Sequence, residues 1–211
     1  MRYLTFKNKV DSFPVITQNQ LQIIDDPPQL IKNQLNRWQK KGLIIKLKKG
    51  MYVLCESDRK INPSKLFLAN QLYFPSYVST EYALGFYDLI PERVTDITSV
   101  TPRKTYKIKN ALGIFVYQHM KPSGFIGFVS IKDENGFGVF IAQPEKAIVD
   151  FFYLNLFYFK EKYDLDIFEK SFRFQNLDRL KRNKLFLYSE SFHSQKLKSV
   201  IENFCKFMRR K

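Results

Sequence analysis

Residues 29–54, QLIKNQLNRWQKKGLIIKLKKGMYVL, constrain this chain more than any other stretch. Apolar residues recur at helical spacing up to Trp38, and Gly42 is a good C-terminal glycine for the helix they predict. Two β-like runs follow. Leu43, Ile45 and Leu47 alternate with Ile44, Lys46 and Lys48, which predicts a half-buried strand. Lys48-Lys49-Gly50 then turns the chain into Met51-Tyr52-Val53-Leu54, with Gly50 providing a positive φ. A helix followed directly by a basic hairpin is the order of elements in a winged helix-turn-helix.

The preceding residues complete that pattern. Residues 2–10 predict a weak first helix. Phe13-Pro14-Val15-Ile16 predicts a short extended piece, because a proline pushes the residue before it out of helical geometry. Thr17 is placed to cap a short helix through Leu21, Ile23 and Ile24. Asp25-Asp26-Pro27-Pro28 breaks that helix and opens the next, since acids and prolines suit a helix start. At 100° per residue, Leu30, Ile31, Leu35 and Trp38 fall within an arc of about 140° and are expected to face a core. Gln29, Lys32, Asn33, Asn36 and Lys40 lie opposite, with Arg37 flanking. Asn and Gln amides match adenine edges, and Arg and Lys match guanine edges. The candidate DNA-binding residues are Thr17, Gln29, Lys32, Asn33, Asn36, Arg37, Lys40 and Lys41 on the helices, and Lys46, Lys48 and Lys49 on the hairpin.

Composition bounds the partners. Of 211 residues 45% are hydrophobic, enough for a packed core. The longest aromatic-aliphatic run, Phe151 to Phe159, is well short of the roughly 20 apolar residues a membrane-spanning helix needs. The N-terminus MRYLTFKNKV lacks the apolar region of a signal peptide. Cys55 and Cys205 have no paired spacing, so a cytoplasmic setting without a disulfide framework or zinc module is expected. The net charge is +15, from 35 basic and 20 acidic residues. Residues 1–58 carry 10 basic and 5 acidic, residues 59–159 carry 11 and 8, and residues 160–211 carry 14 and 7. Both ends are thus more basic than the middle, which favours a polyanionic partner.

Residues 55–62 are polar and read as a linker, which divides the chain into domains 1–58 and 59–211. In the second, a helix is expected from Pro63 through Tyr73, an extended link at 75–79 and a short helix from Thr80 to Tyr87. Strands are expected at 96–101, 104–108, 114–118, 125–130 and 137–142, with Asp133–Gly136 as a turn. A long helix follows at 144–160, then a helical tail from 164 with basic clusters at 179–184 and 206–211. The expected fold class is α+β: an N-terminal winged helix-turn-helix, then a larger mixed α/β domain with an antiparallel-rich sheet and C-terminal helices.

Several stretches resemble one family, the AbiEi-type antitoxins and transcriptional regulators of bacterial toxin–antitoxin, or abortive-infection, systems. LNRWQKKGLIIKLKKGMYVL (35–54) is similar to their recognition helix and wing. PSYVSTEYALGFYDLIPE (75–92), ITSVTPRKT (97–105) and AQPEKAIVDFFY (142–153) resemble segments of their second domain, in the same order. The sequence departs at Asp88, where the family often has Gly before Leu-Ile-Pro. The resemblance implies a cytoplasmic antitoxin that binds double-stranded operator DNA, represses its own operon and counteracts a cognate toxin of nucleotidyltransferase type. A stand-alone regulator with a ligand- or partner-sensing second domain is the alternative.

No catalytic motif accompanies these features, and the chain is not expected to be an enzyme or to hold a cofactor or metal. His119 and His193 have no metal-ligand spacing. His119 reads as a strand-end residue. Glu145, Lys146 and Asp150 lack the one-residue gap of a carboxylate–lysine nuclease, and fit a helix start with an i,i+4 pair. Ala147, Phe151, Leu154 and Tyr158 follow helical spacing and are expected in the core. The remaining competitors are an enzyme acting on nucleic acid and an RNA-binding module using the basic tail.

Overall fold

Helix α1 (Tyr3–Val10) is followed by strand β1 (Ile16–Thr17), a single-turn helix α2 (Gln18–Leu21) and helix α3 (Pro28–Lys40). Strands β2 (Ile44–Lys48) and β3 (Met51–Leu54) form an antiparallel hairpin, and β1 pairs with β3 to give a three-stranded sheet of order β1-β3-β2. The computed structural model describes residues 1–159 and 165–210. Helix α3 begins at Pro28, and its chain reverses at Gly42 with φ +71°. Ile31, Leu35 and Trp38 are buried on one stripe, and Trp38 packs at 4.6 Å on Phe6 of α1. Leu30 departs from expectation: it is 54% exposed, because it lies about 100° behind Ile31. The predicted second helix is also shorter than expected, and Ile23 is exposed beyond its end.

Strand β2 is half-buried as expected, with Ile44 and Leu47 inside and Lys46 exposed. Every residue of β3 is buried. Tyr52 and Leu54 join Ile44 in the small core beneath α1 and α3. Leu47, Met51, Val53 and also Val15 belong to the core of the rest of the molecule. The sheet is therefore covered on both faces. A bulge between Lys46 and Lys48 shifts the register at the tip.

The expected linker is pinned in place. Asp58 accepts hydrogen bonds from Tyr3 Oη and Lys7 Nζ, each at 2.6 Å, and Lys60 pairs with Asp11 at 2.9 Å. These contacts tie the segment after β3 back onto α1. The Asp58 carboxyl is held below the usual carboxylate range, chiefly by the Lys7 and Tyr3 bonds.

Helix α4 (Lys65–Leu72), capped by Ser64, opens the second part. A six-stranded mixed sheet follows, with β4 (Tyr77–Val78), β5 (Ile97–Thr101), β6 (Tyr106–Asn110), β7 (Gly113–His119), β8 (Phe128–Lys132) and β9 (Gly138–Ala142). Its order is β6-β7-β5-β4-β9-β8. Strands β5–β7 and β4–β9 pair in parallel, the others antiparallel. The observed β6 and β8 start two and three residues later than expected. Helix α5 (Thr80–Phe86) and helix α6 (Pro144–Leu154) pack beside this sheet. Strand β4 has only two residues, and Asn70 of α4 substitutes for a missing strand neighbour. Its side chain accepts from Phe140 N and donates to Phe140 O at 3.3 Å.

Helix α6 ends at Leu154 and not at 160, and Lys160 lies outside the described residues. The early end moves the buried aromatics. Phe152 and Phe159 are fully buried, whereas Tyr158, counted into the core by helical spacing, is 54% exposed. Phe152 meets Phe204, Phe159, Phe174 and Phe168 at ring distances of 5.2–5.6 Å. The expected helical tail is only partly helical. Residues 165–181 hold only a short π-helix (Ile167–Ser171) and a single 3-10 turn (Leu177–Arg179), and the α-helices are α7 (Arg182–Glu190) and α8 (Gln195–Phe207). No helix among the described residues is long and apolar enough to cross a membrane.

Candidate nucleic-acid interface

The stripe Ile31–Leu35–Trp38 faces inward, so α3 turns Gln29, Lys32, Asn33, Asn36, Arg37 and Lys40 to solvent. This follows from the helical repeat alone. The Gln29 amide donates to Asn33 Oδ1 at 3.1 Å, which aligns two amides along one turn. Lys41 is exposed at the C-terminal cap of α3, and Lys46 is exposed on β2. Between α2, the start of α3 and the hairpin tip runs an open groove of about 630 Å³, lined among others by Gln18, Leu21, Asp26, Gln29, Ile31, Lys32 and Lys49. The groove brings Gln29, Lys32 and Lys49 together.

Two expected contacts are engaged elsewhere. Thr17 Oγ1 donates to Gln20 Oε1, and the backbone N–H of Thr17 donates to the same oxygen at 3.0 Å. Thr17 and Gln20 thus close a capping box at the start of α2. Lys48 is half-buried and points into the second part of the molecule, where Nζ donates to the carbonyl of Leu72 at 2.6 Å. Burial, with Arg103 nearby, lowers its pKa. Of the two lysines at the tip, only Lys49 is exposed.

Arg103 is what the residue-by-residue reading missed. It sits in the loop between β5 and β6, and its charge acts on Lys48, the half-buried lysine of the hairpin tip. The available signal was an absence: no Asp or Glu occurs between Asp96 and Asp133.

The Lys146–Asp150 pair has a different character. Both residues are fully buried, and Lys146 Nζ bonds to Asp150 Oδ1. Asp150 Oδ2 accepts from Tyr77 Oη at 2.9 Å and from Ser79 Oγ at 2.7 Å. Lys146 Nζ also lies 4.8 Å from the centre of the Phe192 ring. Burial raises the Asp150 pKa and lowers that of Lys146, while their mutual attraction opposes both shifts. This network bolts β4 to α6. Glu145 is spent nearby, accepting from the backbone N–H of Lys181 at 3.0 Å.

His119 ends β7, as its sequence position indicates, and its Nδ1–H donates to the Arg103 carbonyl at 2.9 Å. No group of three or more His, Cys, Asp or Glu suited to a metal occurs among the described residues. The sequence matches no protein-family model, and comparison with curated proteins gives no match either.

Proposed function

We propose that the first part of the chain is a winged helix-turn-helix that binds duplex operator DNA, and that the protein is an antitoxin that represses its own operon. The observation that carries this reading is the exposed face of α3, of which Gln29 and Lys32 share an open groove with Lys49. Asn33 and Asn36 offer amide edges to adenines in the major groove, and Lys32, Arg37 and Lys40 offer cations to guanines and phosphates. Lys49 at the tip meets the backbone.

Toxin neutralisation rests on the resemblance of residues 75–92 and 142–153 to AbiEi-type antitoxins. Tyr77, Ser79, Lys146 and Asp150 lie within those two segments and meet in one interior network. The resemblance therefore speaks for the build of the second part and not for any surface that touches a toxin.

The full chain is titrated with the DNA upstream of its own gene over a range of salt concentrations. Asn33→Ala and Asn36→Ala are expected to change the ranking among altered sites, and Lys32→Ala to weaken binding to all of them. Binding indifferent to all three substitutions overturns the docking. Co-expression with the adjacent gene tests the antitoxin half: the chain is expected to rescue growth, and a harmless neighbour overturns it.

A further inference from the structure

The β6 edge of the six-stranded sheet has features that duplex binding by α3 leaves unused. Residues 97–132 contain Arg103, Lys104, Lys107, Lys109, Lys121 and Lys132 and no acid. Rings from this stretch and from the end of α4 form a ladder that comes to the surface. Buried Tyr117 packs against Tyr73 with ring centres 5.1 Å apart, and Tyr73 packs against Tyr106 at 5.4 Å, both pairs tilted. Tyr106 at the outer end is 49% exposed, and Phe74 is 67% exposed. Two large rings are thus left in water next to the cations of this edge.

The ladder borders an open hollow of about 670 Å³, lined by Tyr73, Arg103, Lys104 and His119. Its walls are braced from within. The Arg103 guanidinium lies 4.7 Å over the Tyr73 ring and donates to the Phe74 carbonyl at 2.9 Å. Tyr73 Oη donates to the Lys104 carbonyl at 3.1 Å. The loop is thus held in shape while the side chains of Lys104, Tyr106 and Lys107 remain exposed.

We infer that this hollow, together with the exposed Tyr106 ring that packs against its lining residue Tyr73, binds unpaired nucleotides of a single-stranded nucleic acid, with a base stacked on Tyr106 and flanking phosphates on Arg103 and Lys104. A duplex keeps its base faces inside the stack and offers Tyr106 nothing to stack on. An acidic peptide satisfies the cations and leaves the rings wet. A single strand meets both, since every base has a π-face and every linkage a negative charge.

The test is fluorescence anisotropy of the full chain with short labelled oligo-uridine and oligo-thymidine, beside operator duplex. Both oligomers are expected to bind, and binding of oligo-uridine alone identifies RNA read through its 2′-hydroxyl. Tyr106→Ala and Tyr106→Leu are expected to weaken single-strand binding by about tenfold, and Tyr106→Trp to preserve it. Lys104→Ala is expected to lower the salt slope by about 0.7. The exposed position of Tyr106 keeps these variants folded, which their circular dichroism melts check. Lys32→Ala is expected to weaken the duplex complex and spare the single-strand one, which separates this inference from the duplex reading. Absence of oligomer binding at low salt overturns it. So does a Tyr106→Leu variant that binds like the parent, or a Lys32→Ala variant that loses both complexes equally.

Discussion

Lys48 Nζ donates to the backbone carbonyl of Leu72 at 2.6 Å, joining the tip of the β2–β3 hairpin to the end of α4. One lysine of the tip is therefore a joint between the two parts of the molecule, while its neighbour Lys49 faces solvent. Asn110 Nδ2 repeats the theme, donating to the carbonyl of Leu47 at 3.2 Å.

This difference separates the two lysines experimentally. Lys48→Ala is expected to lower stability by roughly 1–2 kcal/mol, since it removes a hydrogen bond from a charged donor. Lys49→Ala is expected to leave stability unchanged and to reduce the salt slope of duplex binding by about 0.9. Denaturant titration and salt-dependent binding of the two variants check this. Equal effects on both properties contradict the assignment.

Asp58→Asn is expected to destabilise the protein by roughly 1.5–3 kcal/mol, because it removes the charged acceptor shared by Tyr3 and Lys7. The Asp58 pKa is depressed in the folded state. Its contribution is accordingly full above the unfolded carboxylate value of about 4 and disappears as pH falls through the folded value. Denaturation of parent and variant at pH 7 and at progressively lower pH is expected to show the gap closing. A gap that widens on acidification refutes the pairing.

Asp150→Asn leaves the Lys146 ammonium buried without its counterion, and an expected loss of about 3–5 kcal/mol follows. The double variant Lys146→Met/Asp150→Leu removes both charges and is expected to be more stable than Asp150→Asn. Thermal melts decide this. A double variant worse than the single one shows that the pair contributes more than mutual compensation.

Asp88 has φ +57°, a left-handed conformation that glycine adopts freely and aspartate tolerates. Its carbonyl accepts from the Asn176 amide at 2.8 Å, which holds the turn. Asp88→Ala is expected to cost about 1 kcal/mol, whereas Asp88→Gly leaves stability equal or higher. The comparison of melting midpoints is direct, and the reverse order rules out a conformational cause.

The helix–hairpin order at 28–54 was legible because it rests on local rules. Helical periodicity puts Ile31, Leu35 and Trp38 inside, and Gly42 and Gly50 supply the positive φ that the two reversals need. Asp88 was marked only by the resemblance, as a place where the family often has glycine. Helix α6 was legible at its start, where Pro144 takes the first position, and not at its end. Nothing in the periodicity through Tyr158 marks Leu154 as the last helical residue.

The sequence by itself determined which side of α3 is polar, because the 3.6-residue repeat sorts side chains without reference to anything distant. It also determined that the chain is basic and where acids are missing. Only the tertiary structure decided which of those basic groups reach solvent. Lys48 and Lys49 are neighbours in one turn, yet one is drawn to a carbonyl 24 residues away and the other is left outside. Likewise, the i,i+4 spacing of Lys146 and Asp150 allowed a surface pair. Tyr77 and Ser79, 73 and 71 residues from Asp150, made it an interior one. Burial depends on what packs over a residue, and that comes from parts of the chain which local sequence does not contain.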